Sequence, residues 1–385
     1  MRHYAMTGSN IYLDHNASAP LLPEARAAML AAFDLTGNPS SVHAHGRTLR
    51  AVVETGRGQV AALTGAERKQ VVFTGSATEA ITQAIVGGAR AFPVKRIAVS
   101  AGEHAAVTKA AEATGLPVTV LGLDADGIID LEALAALVAG DELLLVAIHA
   151  VNNETGVVQP LSRIEAQVGP TPHLLFIDAA QACGKLPLEF AARAADMMAV
   201  SAHKIGGPVG IGALLVKSHA DEVRLIPGGG QEQGRRGGTE AAALIAGFGA
   251  AAEAFPKAYV PETVARLVSQ VEAGIRHLAP DALIFGESVE RAGNVVDFAV
   301  PGLGNAVAMM GLDLAGVSVS SGSACSSGKV GPSHVLAAMG YAPEICGGAL
   351  RVSLGWTSNE RDVEGFLSAF ETVLTRHRRR QGQAA

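Results

Sequence analysis

The sequence predicts an α/β protein whose central sheet is mainly parallel and covered by helices on both faces. From about residue 60 to residue 220, short apolar runs alternate with longer alanine-rich helical patterns. The runs are apolar throughout, which is typical of strands buried on both faces. Hydrophobic residues make up 49% of the chain and charged residues 17%, so a folded globular protein is expected rather than a disordered one.

Six apolar runs predict the strands of this sheet, and two of them lead directly into helices. The run at 70–74 precedes a helix that begins near Ala77, and the run at 96–100 precedes a helix that begins near Glu103. The other four runs are 143–150, 173–179, 197–203 and 212–216. Ligands of such sheets bind beyond the carboxyl ends of the strands, so the polar residues after these runs indicate the site.

A second, smaller domain is expected after a change of pattern at 254–264, where two prolines interrupt the sequence. A chain of 385 residues is long enough for two domains. The elements predicted for the second domain are a helix at 261–278 and strands at 293–300 and 350–356.

Charge and cysteine content exclude several classes of function. The formal net charge of −6 gives no electrostatic reason to expect a nucleic-acid partner. The N-terminus lacks the apolar core of a secretory signal, and no apolar run is long enough to cross a bilayer. The three cysteines are widely spaced and form neither a metal-type pair nor a disulfide framework. We therefore expect a cytoplasmic protein with no membrane contact and no metal.

An acid and a lysine follow two neighbouring strands. Asp178 closes the run at 173–179, where it is either a helix N-cap or the partner of a cationic ligand. Ser201, His203 and Lys204 follow the next run and precede glycines that hold a fixed turn. A lysine in this apolar setting loses hydration, which lowers its pKa and lets it form a Schiff base. This is the arrangement that pyridoxal phosphate requires, with the acid facing the pyridine nitrogen.

The stretch "TGSATEA" (74–80) supplies a site for the cofactor phosphate. It offers backbone N–H groups at a helix N-terminus, the Thr78 hydroxyl and no bulky side chain. His104, in "GEHAAV", is either a stacking partner of the cofactor ring or a buried structural histidine. Its position alone does not separate the two interpretations.

Ten motifs in order from residue 12 to residue 355 resemble those of the cysteine desulfurases. These are pyridoxal-phosphate enzymes of aminotransferase class V on the fold-type-I scaffold. The motifs are "YLDHNASAP", "GNPSSVHAHGR", "TGSATEA", "EHAAV", "HAVNNETGVVQP", "IDAAQACGK", "SAHKIGGPVGIGAL", "RRGGTE", "SSGSACSSG" and "LRVSLG". The resemblance implies a large cofactor-binding domain at 15–258. It also implies a small domain formed by 1–14 and 259–385, with a cysteine loop at about 320–333.

The resemblance also implies a role for each matching residue. Lys204 would bind the cofactor aldehyde and shuttle protons, and His104 would stack on the ring. Arg351 would clamp the substrate carboxylate through its bidentate guanidinium. The remaining expected contacts are Asp178 to the pyridine nitrogen, Gln181 to the ring oxygen, Asn153 to cofactor and substrate, Ala77, Thr78, Ser201 and His203 to the phosphate, and Thr239 to the phosphate of the other subunit of a homodimer.

Cys325 lies in "VSVSSGSACSSGKVGPS" (317–333), a segment too rich in serine and glycine to pack a buried cysteine. In the resembling family, a cysteine on such a loop attacks the sulfur of bound L-cysteine, carries it away as a persulfide and releases L-alanine. The thiolate is the reactive form. The loop resembles the long-loop group, which passes sulfur to separate scaffold or carrier proteins, for iron–sulfur clusters or other sulfur-containing cofactors.

Two other functions stay open at this stage. A selenocysteine lyase or another class V reaction, such as transamination, would use the same cofactor site, and only the cysteine loop argues against them. A sulfur-transfer scaffold with a degenerate cofactor site is a third interpretation, against which Lys204 and Asp178 argue. Housekeeping members of the resembling family bind their scaffold through a longer C-terminal extension, which we do not expect in this chain, and the resemblance therefore implies no particular sulfur acceptor.

Overall fold

The structure is a computed structural model that describes residues 11–322 and 331–383 of the chain. Its strands are β1 (Ile11–Tyr12), β2 (Val71–Thr74), β3 (Arg96–Ser100), β4 (Val118–Leu121), β5 (Leu144–His149), β6 (Leu174–Asp178), β7 (Met197–Ser201), β8 (Gly212–Val216), β9 (Leu283–Ile284), β10 (Val295–Ala299), β11 (Val317–Ser318) and β12 (Leu350–Ser353).

The helices follow the strands in alternation over much of the chain. They are α1 (Pro23–Phe33), α2 (Ala44–Thr64), α3 (Ala77–Thr82), α4 (Gly88–Ala91), α5 (Ala105–Ala113), α6 (Leu131–Val138), α7 (Leu161–Val168), α8 (Ala242–Ala258), α9 (Pro261–Leu278), α10 (Asn305–Leu314), α11 (His334–Ala338), α12 (Pro343–Cys346) and α13 (Glu360–Gln383). A π-helical segment at Gln83–Gly87 joins α3 to α4.

A seven-stranded sheet forms the centre of the fold, in the order β2-β8-β7-β6-β5-β3-β4. The five strands from β7 to β4 are parallel, and β8 and β2 are antiparallel to their neighbours. The prediction of an α/β protein with a mainly parallel sheet is therefore confirmed. The sequence argument missed β4, an edge strand whose residues are mostly exposed or half-buried and so lack the continuous apolar signal.

Both faces of the sheet are buried, as the continuous apolar runs require. On one face, alternate strand residues such as Val72, Ile97 and Phe176 pack with α3 and α5. On the other face, their neighbours, among them Phe73 and Ile177, join a larger cluster that includes residues of α2, α7 and α8. This double burial leaves only the strand ends free to carry polar groups.

The later part of the chain forms a smaller antiparallel sheet in the order β12-β10-β9. Strands β10 and β12 lie within the two predicted runs, and α9 spans the predicted helix 261–278. The change of pattern at 254–264 lies partly inside α8, which accommodates Pro256 and ends at Ala258. Strand β1, near the start of the chain, pairs in parallel with β11.

Four parallel strands end in polar residues at the same edge of the large sheet. These residues are Ser100, His149, Asp178 and Ser201, and all four are buried. In the part of the chain that the structure describes, no helix combines the length and apolar character needed to span a membrane.

Gly212 allows the first turn of α3 to pack directly against β8. A Cβ at this position would lie 2.8 Å from the amide nitrogen of Ala77 and 2.8 Å from the carbonyl carbon of Ser76. We expect Gly212→Ala to lower the free energy of unfolding by about 1–3 kcal/mol, because backbone must move to admit the methyl group. Urea denaturation measures this change.

Gly122→Ala is the matched control, since a Cβ there would meet no atom within 4 Å. The control is expected to leave stability nearly unchanged. Equal stability of the two variants would contradict the close packing of α3 on β8.

Candidate active site

A cavity of about 280 Å³ opens at the carboxyl ends of β5, β6 and β7. It brings together nearly all the residues that the sequence singled out for a cofactor. Its lining residues are Ala17, Ser76, Ala77, Thr78, Ile81, His104, His149, Val151, Asn153, Asp178, Ala180, Gln181, Ser201, His203 and Lys204.

Lys204 lies on a tight turn, Ala202–Ile205, that directly follows β7. The turn ends at Gly206, whose φ of 70° is a left-handed conformation that favours glycine. The Lys204 ammonium donates hydrogen bonds to the carbonyl oxygens of Asn16, at 2.5 Å, and Ala17, at 3.0 Å. The amine is therefore held inside the cavity rather than in solvent.

Asp178 ends β6 and lies on the strand next to the one that leads into Lys204. Its side chain is buried, and Oδ1 accepts a hydrogen bond from the amide of Ala180 at 3.0 Å. The N-cap-like role and the ligand role are thus compatible, because the carboxylate also lines the cavity. The cavity is therefore lined by both a carboxyl group and an amine.

Two histidines of the cavity are neutral near pH 7. Burial, together with the Lys204 charge, lowers the pKa of His203 to about 4. Burial also lowers the pKa of His104, an effect that Asp178 opposes. His104 is the N-cap of α5, and its Nδ1 accepts a hydrogen bond from the amide of Ala106. The structure thus gives His104 a structural role and also places its ring at the cavity wall.

The N-terminus of α3 forms another wall of the cavity. Ser76 is its N-cap, and the hydroxyl accepts a hydrogen bond from the amide of Glu79. The amides of the first helical residues, Ala77 and Thr78, have no carbonyl partner within the helix. With the hydroxyls of Thr78 and Ser201, these groups present hydrogen-bond donors and a positive helix dipole to an anion.

Gln181 is held on both sides of its amide group. Its Nε2 donates to the carbonyl oxygen of Asn16 at 2.9 Å, and its Oε1 accepts from the Lys185 ammonium at 3.0 Å. Burial and the Lys204 charge lower the pKa of Lys185 to about 7. Because the Asn16 carbonyl oxygen only accepts, it fixes the amide orientation with the NH₂ group toward Asn16.

Arg351 is fully buried on β12, and the cavity lining does not include it. Its guanidinium pairs with Asp14, with Nη2 2.9 Å from Oδ1. It also donates to the carbonyl oxygen of Asn153 at 3.0 Å, so it lies directly behind a residue of the cavity wall. Asn153 therefore links the cavity to the smaller sheet.

One residue that was predicted to contact a cofactor phosphate does not line this cavity. Thr239 lines a separate pocket of about 190 Å³, with Gly75 and Arg236 among its neighbours. Glu79 at the start of α3 pairs with Arg236, at 2.8 Å, which ties the pocket to the first turn of that helix. Cys325 lies outside the described residues.

A buried pair, Glu103 and His149, was not predicted from the sequence, and its histidine lines the cavity. Glu103 Oε1 accepts hydrogen bonds from the amide and the Nδ1 of His149, at 2.7 and 2.8 Å. Burial raises the pKa of Glu103. His149 ends a strand, so the rule that identified Asp178 also applies to it. No sequence signal identifies Asn16, because its contacts come from distant parts of the chain.

Comparison with known proteins identifies the family. The profile described as "Aminotransferase class-V" matches residues 11–366. A "Cysteine desulfurase" of Trichormus azollae is 38% identical over 379 residues, covering 96% of this chain and 94% of the relative. The chain belongs to the cysteine desulfurase family of class V aminotransferases. The match confirms the family resemblance seen in the sequence. Enzymes of this family depend on pyridoxal phosphate.

Other cysteine desulfurases and solved structures agree. "Cysteine desulfurase IscS" of Dictyoglomus turgidum is 33% identical, covering 96% of this chain and 95% of the relative. The X-ray structure of a NifS-like protein from Rickettsia africae has a TM-score of 0.87 at 30% identity, covering 95% of this chain and 99% of that one. A structure titled "SspA in complex with cysteine" has a TM-score of 0.78 at 30% identity, covering 89% and 98%.

Replacement of Lys185 by methionine is expected to flatten the pH dependence of stability in the cofactor-free protein. The pKa of Lys185 is about 7 in the folded state and about 10.4 in an unfolded chain. Between these values the unfolded state binds more protons, so this lysine makes stability rise with pH. Urea denaturation at about pH 7 and about pH 8.5 measures the slope.

Lys257→Met, at an exposed position on α8, is the control and should leave the slope unchanged. A slope in Lys185→Met that matches the unaltered protein would show that Lys185 keeps its charge in the folded state.

Proposed function

We propose that this protein is a cysteine desulfurase that converts L-cysteine to L-alanine and places the sulfur on Cys325 as a persulfide. The observation that carries the proposal is the shared cavity. It places the Lys204 amine, the Asp178 carboxylate and the first turn of α3 within one volume of about 280 Å³. Family membership supports the same reaction.

The cavity residues fit pyridoxal phosphate in both charge and size. The phosphate would bind the first turn of α3 with Thr78, Ser201 and His203. The cradle exists because Gly212 lacks a Cβ, which would overlap the backbone of Ala77. When bound, pyridoxal phosphate supplies an aldehyde for an amine and a ring that withdraws electrons from the substrate.

The residues around the ring would hold its edges and one of its faces. Asp178 would keep the pyridine nitrogen protonated, since a buried carboxylate favours a neighbouring positive charge. Gln181 would donate to the ring oxygen through the NH₂ group that the Asn16 carbonyl oxygen orients. His104 would lie on the ring face, with its Nδ1 already occupied by the amide of Ala106. Asn153 would orient cofactor and substrate.

Lys204 would serve as the base and acid of the reaction. In this structure its amine donates to two main-chain carbonyls, which keep it inside the cavity. Arg351 would bind the substrate carboxylate in a bidentate manner. Arg351 pairs with Asp14 in this structure. The substrate carboxylate would therefore either replace Asp14 at the guanidinium or bind the guanidinium together with Asp14.

The sulfur transfer itself would be a displacement at the substrate sulfur. The Cys325 thiolate attacks that sulfur, a sulfur–sulfur bond forms and the carbon–sulfur bond breaks. The electron pair of the broken bond stays with the substrate carbon, to which Lys204 returns a proton to give alanine. The thiolate is required because it is the nucleophilic form.

The proposal also covers the domains, the oligomeric state and the sulfur acceptor. It comprises a large domain at 15–258 and a small domain formed by 1–14 and 259–385. It also includes a cytoplasmic homodimer, in which Thr239 reaches the cofactor phosphate of the other subunit. The sulfur acceptor would be a scaffold or carrier protein for iron–sulfur clusters or other sulfur-containing cofactors. Selenocysteine lyase and transamination are not favoured, because the relatives in the comparisons are named cysteine desulfurases.

Cys325→Ala tests the sulfur step. The variant is expected to keep the visible absorbance of bound cofactor and to lose persulfide formation and cysteine-dependent sulfide release. Cys346→Ala is the control, because Cys346 is buried on α12 and packs in an apolar cluster. The control should retain activity. Undiminished desulfuration by Cys325→Ala would overturn the assignment of the acceptor thiol.

A further inference from the structure

Glu154 is a buried carboxyl group just outside the cavity whose place in the reaction is not yet assigned. It follows Asn153 in the turn after β5, and its residue is only 1% exposed. Its amide donates to the Asn152 side-chain oxygen at 2.9 Å, which fixes the turn. The carboxyl group contacts a part of the chain that is remote in sequence.

The Glu154 carboxyl group contacts the chain on both sides of the segment 323–330. Before that segment, Gly322 lies so close that a Cβ built on it would be 2.2 Å from Oε2. After the segment, the Ser333 hydroxyl donates to Oε2 at 2.5 Å. His334 Nδ1 lies 3.9 Å from Oε1. One carboxyl group therefore joins two chain positions that are eleven residues apart in sequence.

The surrounding interactions hold this junction in place. Ser333 is the N-cap of α11, and its hydroxyl also accepts from the amide of Leu336 at 3.1 Å. On the other side of α11's first turn, His334 Nε2 contacts the carbonyl oxygen of Glu103 at 3.0 Å. Residues 333 and 334 are thus fixed to both Glu154 and the chain segment that bears His104.

Glycine is required at position 322 by this contact. A Cβ there would overlap the Glu154 carboxyl group, and Glu154 cannot withdraw without leaving Ser333. Removal of the carboxyl group from a buried site would also leave the Ser333 hydroxyl without its acceptor, which is costly. The hydrogen bond to Ser333 therefore holds the Glu154 carboxyl group in the position where only glycine fits at residue 322.

We propose that Glu154 is a positioning residue for sulfur transfer, which ties Gly322 and Ser333 together so that Cys325 is presented to the cavity. This inference rests on the proposed function, since it concerns the thiol that accepts sulfur. Glu154 acts on the approach of the thiol and leaves cofactor and cysteine binding to the cavity residues.

Glu154→Ala and Ser333→Ala, each in the full-length protein with cofactor bound, test this inference, because each removes the hydrogen bond between residues 154 and 333. We expect cofactor content and the concentration of cysteine that half-saturates the spectral change to stay within about twofold. The single-turnover rate of persulfide formation on Cys325 should fall by at least about tenfold, because a misplaced nucleophile loses orientation. The rate of persulfide formation should fall little further in the double variant than in either single variant, since both substitutions remove the same hydrogen bond.

A second measurement does not depend on turnover. Alkylation of Cys325 by iodoacetamide, followed by mass spectrometry, reports how the thiol is held. Both variants should raise its rate by at least about threefold, since fewer contacts hold the ends of the segment. Cys183 and Cys346 are buried and serve as internal references whose slow alkylation should not change.

Two results would overturn the inference. One is an unchanged alkylation rate together with an unchanged rate of persulfide formation. The other is a loss of affinity for cysteine or cofactor that is as large as the loss of rate. That result would show that Glu154 acts on the cavity residues through Asn153. If the unaltered protein forms no persulfide, the proposed function fails, while the alkylation result still decides whether Glu154 holds the two chain ends.

Discussion

The site depends on the main chain at Asn16, where four separate parts of the fold meet. The Asn16 carbonyl oxygen accepts hydrogen bonds from both Lys204 and Gln181. Its side chain donates to the carbonyl oxygen of Asn153 and accepts from Asn294 of the smaller sheet. Asn16 is 1% exposed, so none of these bonds competes with solvent. Because backbone groups cannot change charge or rotate freely, they hold the lysine amine at a fixed place.

Three basic side chains lie around this point, those of Lys204, Lys185 and Arg351. Burial lowers the pKa of Lys185 most, and the charges of Lys204 and Arg351 lower it further. Asp178 and Asp14 provide negative charge at the edges of the group. Such a region binds anions well, and both a phosphate ester and an amino-acid carboxylate are anions. Burial, together with the Lys204 charge, lowers the pKa of His203, so that this side chain is neutral and acts as a hydrogen-bonding group.

Most of the sheet and the residues at its strand ends could be predicted from the sequence, because hydrophobic periodicity and the polar residues after a strand can both be recognised in short stretches of sequence. Asp178 and Lys204 could be found in this way, and His149 could have been. The contacts of Asn16, Lys185 and Glu154 could not. Each of them depends on which distant segments the fold brings together, and spacing along the chain carries no information about that.

The edge strand β4 was not predicted from the sequence, for a different reason. Its residues are mostly exposed or half-buried, so the hydrophobic signal of a doubly buried strand is missing. Arg351 was assigned from resemblance, and the structure adds that its guanidinium is engaged by Asp14. The partner of a buried charge is set by tertiary packing.

The central claim is that the amine of Lys204, rather than that of the neighbouring Lys185, captures the aldehyde of the cofactor. Reduction of the purified protein with borohydride would make the carbon–nitrogen bond permanent, and peptide mass spectrometry would locate it. The account predicts a pyridoxyl phosphate group on the peptide that contains Lys204 and none on the peptide that contains Lys185. A label on Lys185, or no label in protein supplied with pyridoxal phosphate, would contradict it.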